Sequence, residues 1–425
     1  MSRKIDRELI KRIKTVSLDY KILDSINDNF GEAFYLLDSS KFARNFDEFL
    51  SLFSKIYPNT NVGYSYKTNY TPKLCKIVND KGGYAEVVSE MEYDLAIKLG
   101  IDPKMIIING PYKPKKALEK FLLGGSVVNL DSHAEVESLK TIALSHSHKK
   151  FSVGLRCNFD INDSSISRFG FDVESEIFLS TFFEVSNISN VTIDGIHCHF
   201  PNRDLESYLH RVENILYLAK KLFPKPPKYI DIGGGFFGKM ADSLKAQFSQ
   251  PTVEYKSYAD LIATKFEEAY CDYPNDEKPL LLLEPGSAIV ADTMCFVAKV
   301  ISLKEVRGRT IATSSGSKFN IGLLTSNINM PMKVYNRSEN KNKHREVDVV
   351  SYTCIEGDCL YKGYSGNIGM GDYLVFSNVG SYSIVFKPQF IMPNVPIIEY
   401  NESLDSYEVV RRQETMEDIF STFVF

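Results

Sequence analysis

Residues 61–109 read NVGYSYKTNYTPKLCKIVNDKGGYAEVVSEMEYDLAIKLGIDPKMIIIN. Three short apolar runs, Asn61–Tyr66, Gly83–Val88 and Met105–Asn109, alternate with two amphipathic stretches, Thr71–Asp80 and Met91–Leu99. The runs are too short for helices and rich in β-branched and aromatic residues, whereas the stretches between them carry apolar residues at helical spacing. Strands joined by helical crossovers lie parallel. The rhythm continues outward through strands at Ser126–Leu130, Phe151–Cys157, Val191–His197, Tyr229–Ile232 and Leu280–Glu284, with helices at Pro114–Phe121, His133–Ser145, Leu205–Leu222 and Tyr258–Tyr270. Eight such strands predict an α/β fold, a TIM-like (β/α)8 barrel with its catalytic groups at the C-terminal strand ends.

After Gly286 the pattern changes. Thr293–Leu303, Thr310–Thr313, Val347–Thr353, Asp372–Phe376 and Ser383–Phe386 read as strands without long helices between them, which predicts a mostly antiparallel β domain. Ala33–Leu37 reads as a strand that joins that sheet, and Ile5, Leu9, Ile10 and Ile13 predict an amphipathic helix before it. The expected division is 1–38 as N-terminal helix and strand, 39–286 as barrel, and 287–425 as β domain.

The 425 residues are 44% hydrophobic and 24% charged, enough apolar material for a large core. A net charge of -4 argues against nucleic-acid or anionic-membrane partners, and the short basic run Lys341–Arg345 reads as a solvated loop. The N-terminus lacks the apolar core of a secretory signal, and no stretch is long and apolar enough to span a membrane. Seven scattered cysteines suit free thiols in a reducing cytoplasm better than a disulfide framework.

Several chemistry-bearing residues fall at strand ends. Lys67 follows the first strand in YSYKTN; it reads either as a solvated lysine or as an amine that forms a Schiff base if desolvation lowers its pKa. His197 and His199 share one strand face; they read as hydrogen-bonded core histidines or as a ring stacked on a cofactor, and no further ligands stand at metal-site spacing. In DIGGGFFG, Gly233, Gly234 and Gly235 form either a plain tight turn or one whose amides converge on an anion; the spacing is not that of a dinucleotide fingerprint. Glu284, after four leucines, needs a cationic partner, which a structural ion pair or a protonated pyridine would supply. Cys354 stands among charges and glycine in CIEGD, which hints at an exposed thiol.

Taken in order, these segments resemble the fold-type III pyridoxal-5′-phosphate (PLP) decarboxylases of the diaminopimelate, ornithine and arginine families, over about Phe34 to Ile398. YSYKTN resembles the motif with the cofactor lysine. The segment with Glu86, Ser89 and Glu92, the VNLDSHAEVESL stretch, Arg168-Phe169-Gly170 and GIHCHF have counterparts there too. The resemblance implies an amino-acid decarboxylase that holds PLP on Lys67. His199 would stack on the ring, and Glu284 would keep the ring nitrogen protonated. Gly233, Gly234, Gly235, Gly286, Ser287, Asn202 and Tyr382 would surround the phosphate. Cys354 would return a proton to Cα, with Glu356 and Asp358 facing the substrate. It further implies a homodimer with shared active sites, in which Arg168 would pair with Asp358 across subunits.

Three positions depart from the family pattern. Ile355 stands where an acid follows the cysteine, Ser287 replaces the arginine of E-P-G-R, and Pro201-Asn202 replace small residues after His199. A site without those charges discriminates poorly for a free diamino acid, which points to a conjugated or carrier-bound amino acid. The competing readings are a PLP racemase or deaminase of the same fold, and an inactive homologue that acts by binding.

Overall fold

A computed structural model describes residues 18–163, 166–322, 328–337, 343–387, 389–401 and 406–425. The predicted helix around Ile5–Ile13 and the start of the Lys341–Arg345 run lie outside them. The chain forms two units. One takes residues up to Asp38 with Met294–Val379 and Lys387–Phe425; the other takes Ser39–Thr293 with Gly380–Phe386.

In the first unit, a helix (Tyr20–Phe30) capped by the Asp19 carboxylate precedes β1 (Ala33–Leu37). The second unit is the barrel. Its strands are β2 (Thr60–Ser65), β3 (Tyr84–Val87), β4 (Ile106–Ile108), β5 (Val127–Leu130), β6 (Phe151–Asn158), β8 (Val191–His197), β9 (Tyr229–Asp231) and β10 (Leu280–Leu283), with a two-residue strand β7 (Phe171–Asp172) beside β6. Each pairs in parallel with the next; β10 returns to β2, and β5 bonds to β6, so the sheet closes. All eight C-terminal ends therefore open on one mouth. Ile107, Tyr229 and Leu282 form one packed layer inside. Each buried aliphatic chain of this kind contributes about 1.5–3 kcal/mol.

Helices flank the strands as the sequence pattern predicts, with two long additions, Glu176–Ser186 before β8 and Ser39–Ser54. Ser39–Ser54 precedes β2 and packs on helices Pro72–Asp80 and Tyr255–Tyr270, so it fills the place a helix after β10 would take. Its buried face is Phe42, Phe46, Phe49 and Phe53.

The remaining strands belong to the first unit: β11 (Met294–Val306), β12 (Arg309–Ser314), β13 (Met332–Tyr335), β14 (Lys343–Val350), β15 (Cys359–Asn367), β16 (Tyr373–Ser377), β17 (Ile397–Asn401) and β18 (Ser406–Arg411). β1 joins this sheet as expected, antiparallel to β11 and parallel to β17. Leu23, Ile26, Phe34, Val297, Tyr373 and Ile398 pack its core. One predicted strand is corrected: Ser383–Phe386 is a sequence of turns. The preceding Gly380-Ser381-Tyr382 bends back onto the barrel, with Tyr382 at φ +55° and its N–H on Thr68 O at 2.9 Å, so the backbone is not extended for sheet pairing.

Candidate active site

The strand ends gather a ring of polar side chains at the barrel mouth. After β2, a single 3-10 turn, Tyr66–Thr68, carries Lys67, whose Nζ donates to Glu86 Oε2 on β3 at 2.5 Å. Burial alone would lower the lysine pKa, but the Glu86 and Glu284 carboxylates outweigh it and raise it. The expectation of a desolvation-lowered amine is thereby corrected: in this state Lys67 is an ion-paired ammonium.

Asn109, just past β4, donates to Glu86 Oε1 at 3.1 Å and to Glu284 Oε1 at 2.5 Å. Behind it, Asn129 Nδ2 donates to Asn109 Oδ1 at 2.9 Å, and Tyr229 OH donates to Asn129 Oδ1 at 2.7 Å. Each link fixes the amide in front of it, so Asn109 presents its NH2 group, not its oxygen, to the two carboxylates. On the helix that follows β3, the Ser89 hydroxyl accepts the Glu92 N–H, and Glu92 accepts the Val88 N–H in return. Burial pushes the Glu92 carboxyl up to about 7.

Beneath Glu284, His197 Nε2 lies 3.6 Å from Glu284 Oε2, and neither ring nitrogen has a hydrogen-bond partner. Asp231 accepts the Gly233 N–H at 2.8 Å on one oxygen, while the other has none. Burial and the Glu284 charge hold Asp231 well above the carboxylate range. Burial also presses on Glu284, but its charged and polar neighbours, the Lys67 cation among them, outweigh it and keep Glu284 low. Asp231 is therefore the neutral acid of the pair and Glu284 the ion. Ligand-type atoms of His197, Asp231 and Glu284 lie within 4.8 Å of one another. They come from three strands, so linear spacing did not display them. With Asp231 neutral they form a buried polar floor under the site rather than a set of charged metal ligands.

Gly233 (φ +72°) and Gly235 (φ +96°) need the left-handed region, and a Cβ on Gly234 would stand 2.3 Å from Glu284 O. The Gly234 N–H donates to His199 Nδ1 at 3.0 Å. Burial and the nearby Lys67 hold the His199 pKa well below its ordinary value, so the ring is neutral. Gly234 O accepts from Tyr208 OH at 2.8 Å and Arg211 Nη1 at 3.2 Å. No acceptor among the described residues takes the N–H of Gly235 or Phe236.

Gly286 opens the short helix Ser287–Val290, and Ser287 is half-buried. Asn202 gives its amide to Asp163 at 2.7 Å, and its buried oxygen has no partner. The half-buried Tyr382 stacks on Phe386, while Asn69 Nδ2 donates to Gly380 O at 2.8 Å. Arg168 is exposed, its guanidinium 4.2 Å from the Phe169 ring centre.

In the β unit, Cys354, Ile355 and Glu356 are exposed between β14 and β15. Asp358 is only 4% exposed. Its carboxylate accepts from Ser317 Oγ (2.8 Å), Lys318 N (2.7 Å) and Thr353 Oγ1 (2.6 Å), which ties down the loop that carries Cys354.

A lysine amine, a neutral imidazole, an ionised buried carboxylate and a glycine turn with untaken amides fit a phosphorylated pyridine aldehyde. Fold and site define a barrel enzyme of cofactor-assisted amino-acid chemistry. The family model "Pyridoxal-dependent decarboxylase, pyridoxal binding domain" matches residues 42–291, and the chain belongs to that family, with PLP as its cofactor. It is similar to diaminopimelate decarboxylase from Aquifex aeolicus, with 26% identity over 87% of this chain and 86% of the relative. The L-glutamyl-[BtrI acyl-carrier protein] decarboxylase of Niallia circulans is 22% identical over 96% of this chain and 97% of the relative. In fold it is similar to the crystal structure of diaminopimelate decarboxylase from Methanocaldococcus jannaschii, with a TM-score of 0.82, 20% identity and 94% of each chain covered.

The sequence reading assigned no role to Asn109, Asn129, Asp231 or Arg211. The first three carried a usable signal: a polar residue at or next to the last positions of an apolar barrel strand. Arg211 carried none, since an arginine on a helix normally faces water. Among the described residues no helix is long and apolar enough to cross a membrane.

Proposed function

We propose that this decarboxylase holds PLP on Lys67, returns the proton to the substrate Cα from Cys354, and acts on an amino acid conjugated to a larger group or carrier. The bound cofactor supplies the electron sink that makes loss of CO2 accessible. The observation that carries the reading is the Lys67–Glu86 ion pair, 2.5 Å long, in the same ring as the Asn109-braced Glu284. Glu86 keeps the amine oriented while it is charged. Glu284, ionised by its neighbours, faces the ring nitrogen as a counter-charge and holds its proton. The neutral His199, fixed by Gly234, covers the ring face. The Gly233–Gly235 turn, Gly286 and Tyr382 receive the phosphate.

Cys354 suits proton return because its loop is exposed yet anchored through Asp358. In this reading two copies of the chain share their active sites, in the cytoplasm, where the free thiols stay reduced. The substrate class is supported by the uncharged Ile355 next to Cys354, by Ser287, and by the carrier-bound substrate in the name of the Niallia circulans relative.

The test is CO2 release from free diaminopimelate, free glutamate and a carrier-tethered glutamyl unit by the PLP-loaded protein. The tethered substrate should turn over at least about tenfold faster, the low end of the discrimination that a difference of one small group gives. Faster turnover of free diaminopimelate would reject the conjugate.

A further inference from the structure

Arg211 is a buried cation whose charge no carboxylate among the described residues balances. It lies on the helix Leu205–Leu222, one turn after Tyr208 on the same face, and is fully buried. Nη1 donates to Gly234 O; Nη2 donates to Asn202 O and, at 3.3 Å, to Ser207 Oγ. The guanidinium stacks 4.2 Å from the Tyr208 ring centre, with Phe200 at 5.6 Å. All its hydrogen-bond acceptors are neutral. Nε has no partner, and no carboxylate among the described residues pairs with it. A guanidinium keeps its proton in proteins, and a buried charge without a counter-ion is costly. The arrangement calls for an anion nearby.

Where that anion belongs follows from peptide geometry. A trans peptide is planar, so its C=O and N–H point in opposite directions. Arg211 and Tyr208 hold the carbonyl of the Gly234–Gly235 peptide from behind. The Gly235 N–H therefore faces the other side of the turn, where no acceptor among the described residues takes it. A cation on the carbonyl strengthens that N–H as a donor. Ser287, beside the turn through Gly286, brings no charge of its own.

We propose that Arg211 is a positioning residue for the cofactor phosphate: it supplies, through the Gly234–Gly235 peptide, the positive charge that holds a phosphate-monoester dianion. The inference rests on the reading that the glycine turn receives the phosphate.

The test compares PLP with pyridoxal, the same aldehyde without a phosphate, by equilibrium dialysis against the full chain stripped of cofactor. Arg211→Gln and Arg211→Met should each lower the preference for PLP over pyridoxal roughly ten- to hundredfold and leave pyridoxal affinity unchanged. The ratio is internal to each protein, so partial misfolding does not mimic the effect. Glutamine can still donate to Gly234 O, which makes it the variant to read if methionine prevents folding. An unchanged preference, or equal weakening of both ligands, overturns the role of Arg211. Wild-type protein that binds pyridoxal as tightly as PLP would instead sink the assignment of the phosphate to the turn.

Discussion

His199 Nδ1 accepts the backbone N–H of Gly234 at 3.0 Å. This bond ties the imidazole to the glycine turn and leaves Nε2 as the protonated nitrogen of a neutral ring. Ring position and turn geometry are therefore a single unit, and a change in one reaches the other.

Gly234→Ala tests that unit. The new Cβ would meet Glu284 O at 2.3 Å, which forces the turn away from β10. The expected outcome is a loss of roughly 1–3 kcal/mol of stability, as for overpacking elsewhere, together with loss of bound PLP. Thermal unfolding and cofactor content of the purified variant provide the check; full PLP occupancy would contradict it.

Lys67→Ala should abolish the visible absorption of the cofactor-loaded protein, because no other lysine among the described residues is bonded to Glu86. It also leaves the buried Glu86 without its cation, so the apo variant should melt below the wild type. A variant that stays yellow after dialysis would remove Lys67 from its role.

Burial holds His197 below its ordinary pKa of 6.5, with Glu284 opposing only in part. In the unfolded chain the ring gains its proton near 6.5; in the folded chain it does so at lower pH. The unfolded state carries the extra proton between those two values, so this contribution to stability is present above the window and is lost as pH falls through it. The slope is at most about 1.4 kcal/mol per pH unit. Relative to wild type, apo His197→Gln should therefore gain stability as pH falls below about 6.5. Melting curves that keep a constant separation over that range would show that the ring does not titrate this way.

Cys354→Ala should retain PLP, since the exposed thiol is not among the groups that hold the cofactor, yet lower kcat for CO2 release by about a hundredfold or more, the usual contribution of one proton-transfer group. Absorbance and turnover measured on one preparation separate the two effects. Unaltered kcat would assign the proton return to another group.

The barrel strands were legible because a parallel strand is covered on both faces and reads as an uninterrupted apolar run, as Leu280–Leu283 does. Helix Ser39–Ser54 was not read, although Phe42, Phe46, Phe49 and Phe53 stand at helical spacing; Phe and Ser are weak helix formers, and packing of that stripe supplies what their propensity lacks. Ser383–Phe386 failed in the opposite sense. Its apolar residues mimic a strand, but the turn at Tyr382 commits it to the barrel. In the site, Lys67, His199 and Glu284 stood out through local motifs. The chain from Tyr229 through Asn129 to Asn109 did not, because its links span 100 and 20 residues and meet only when the sheet closes. Arg211 was hidden by convention, since nothing local distinguishes a buried helix arginine from a solvated one.

Residues Gly380–Phe386 complete the barrel unit from far down the chain, with Asn69 Nδ2 on Gly380 O and the Tyr382 N–H on Thr68 O holding the two residues directly after Lys67. During synthesis the ribosome releases all eight barrel strands long before that clasp emerges. The nascent barrel must wait with its lysine loop unclasped, and a fragment that stops at Thr293 would be a barrel without its latch.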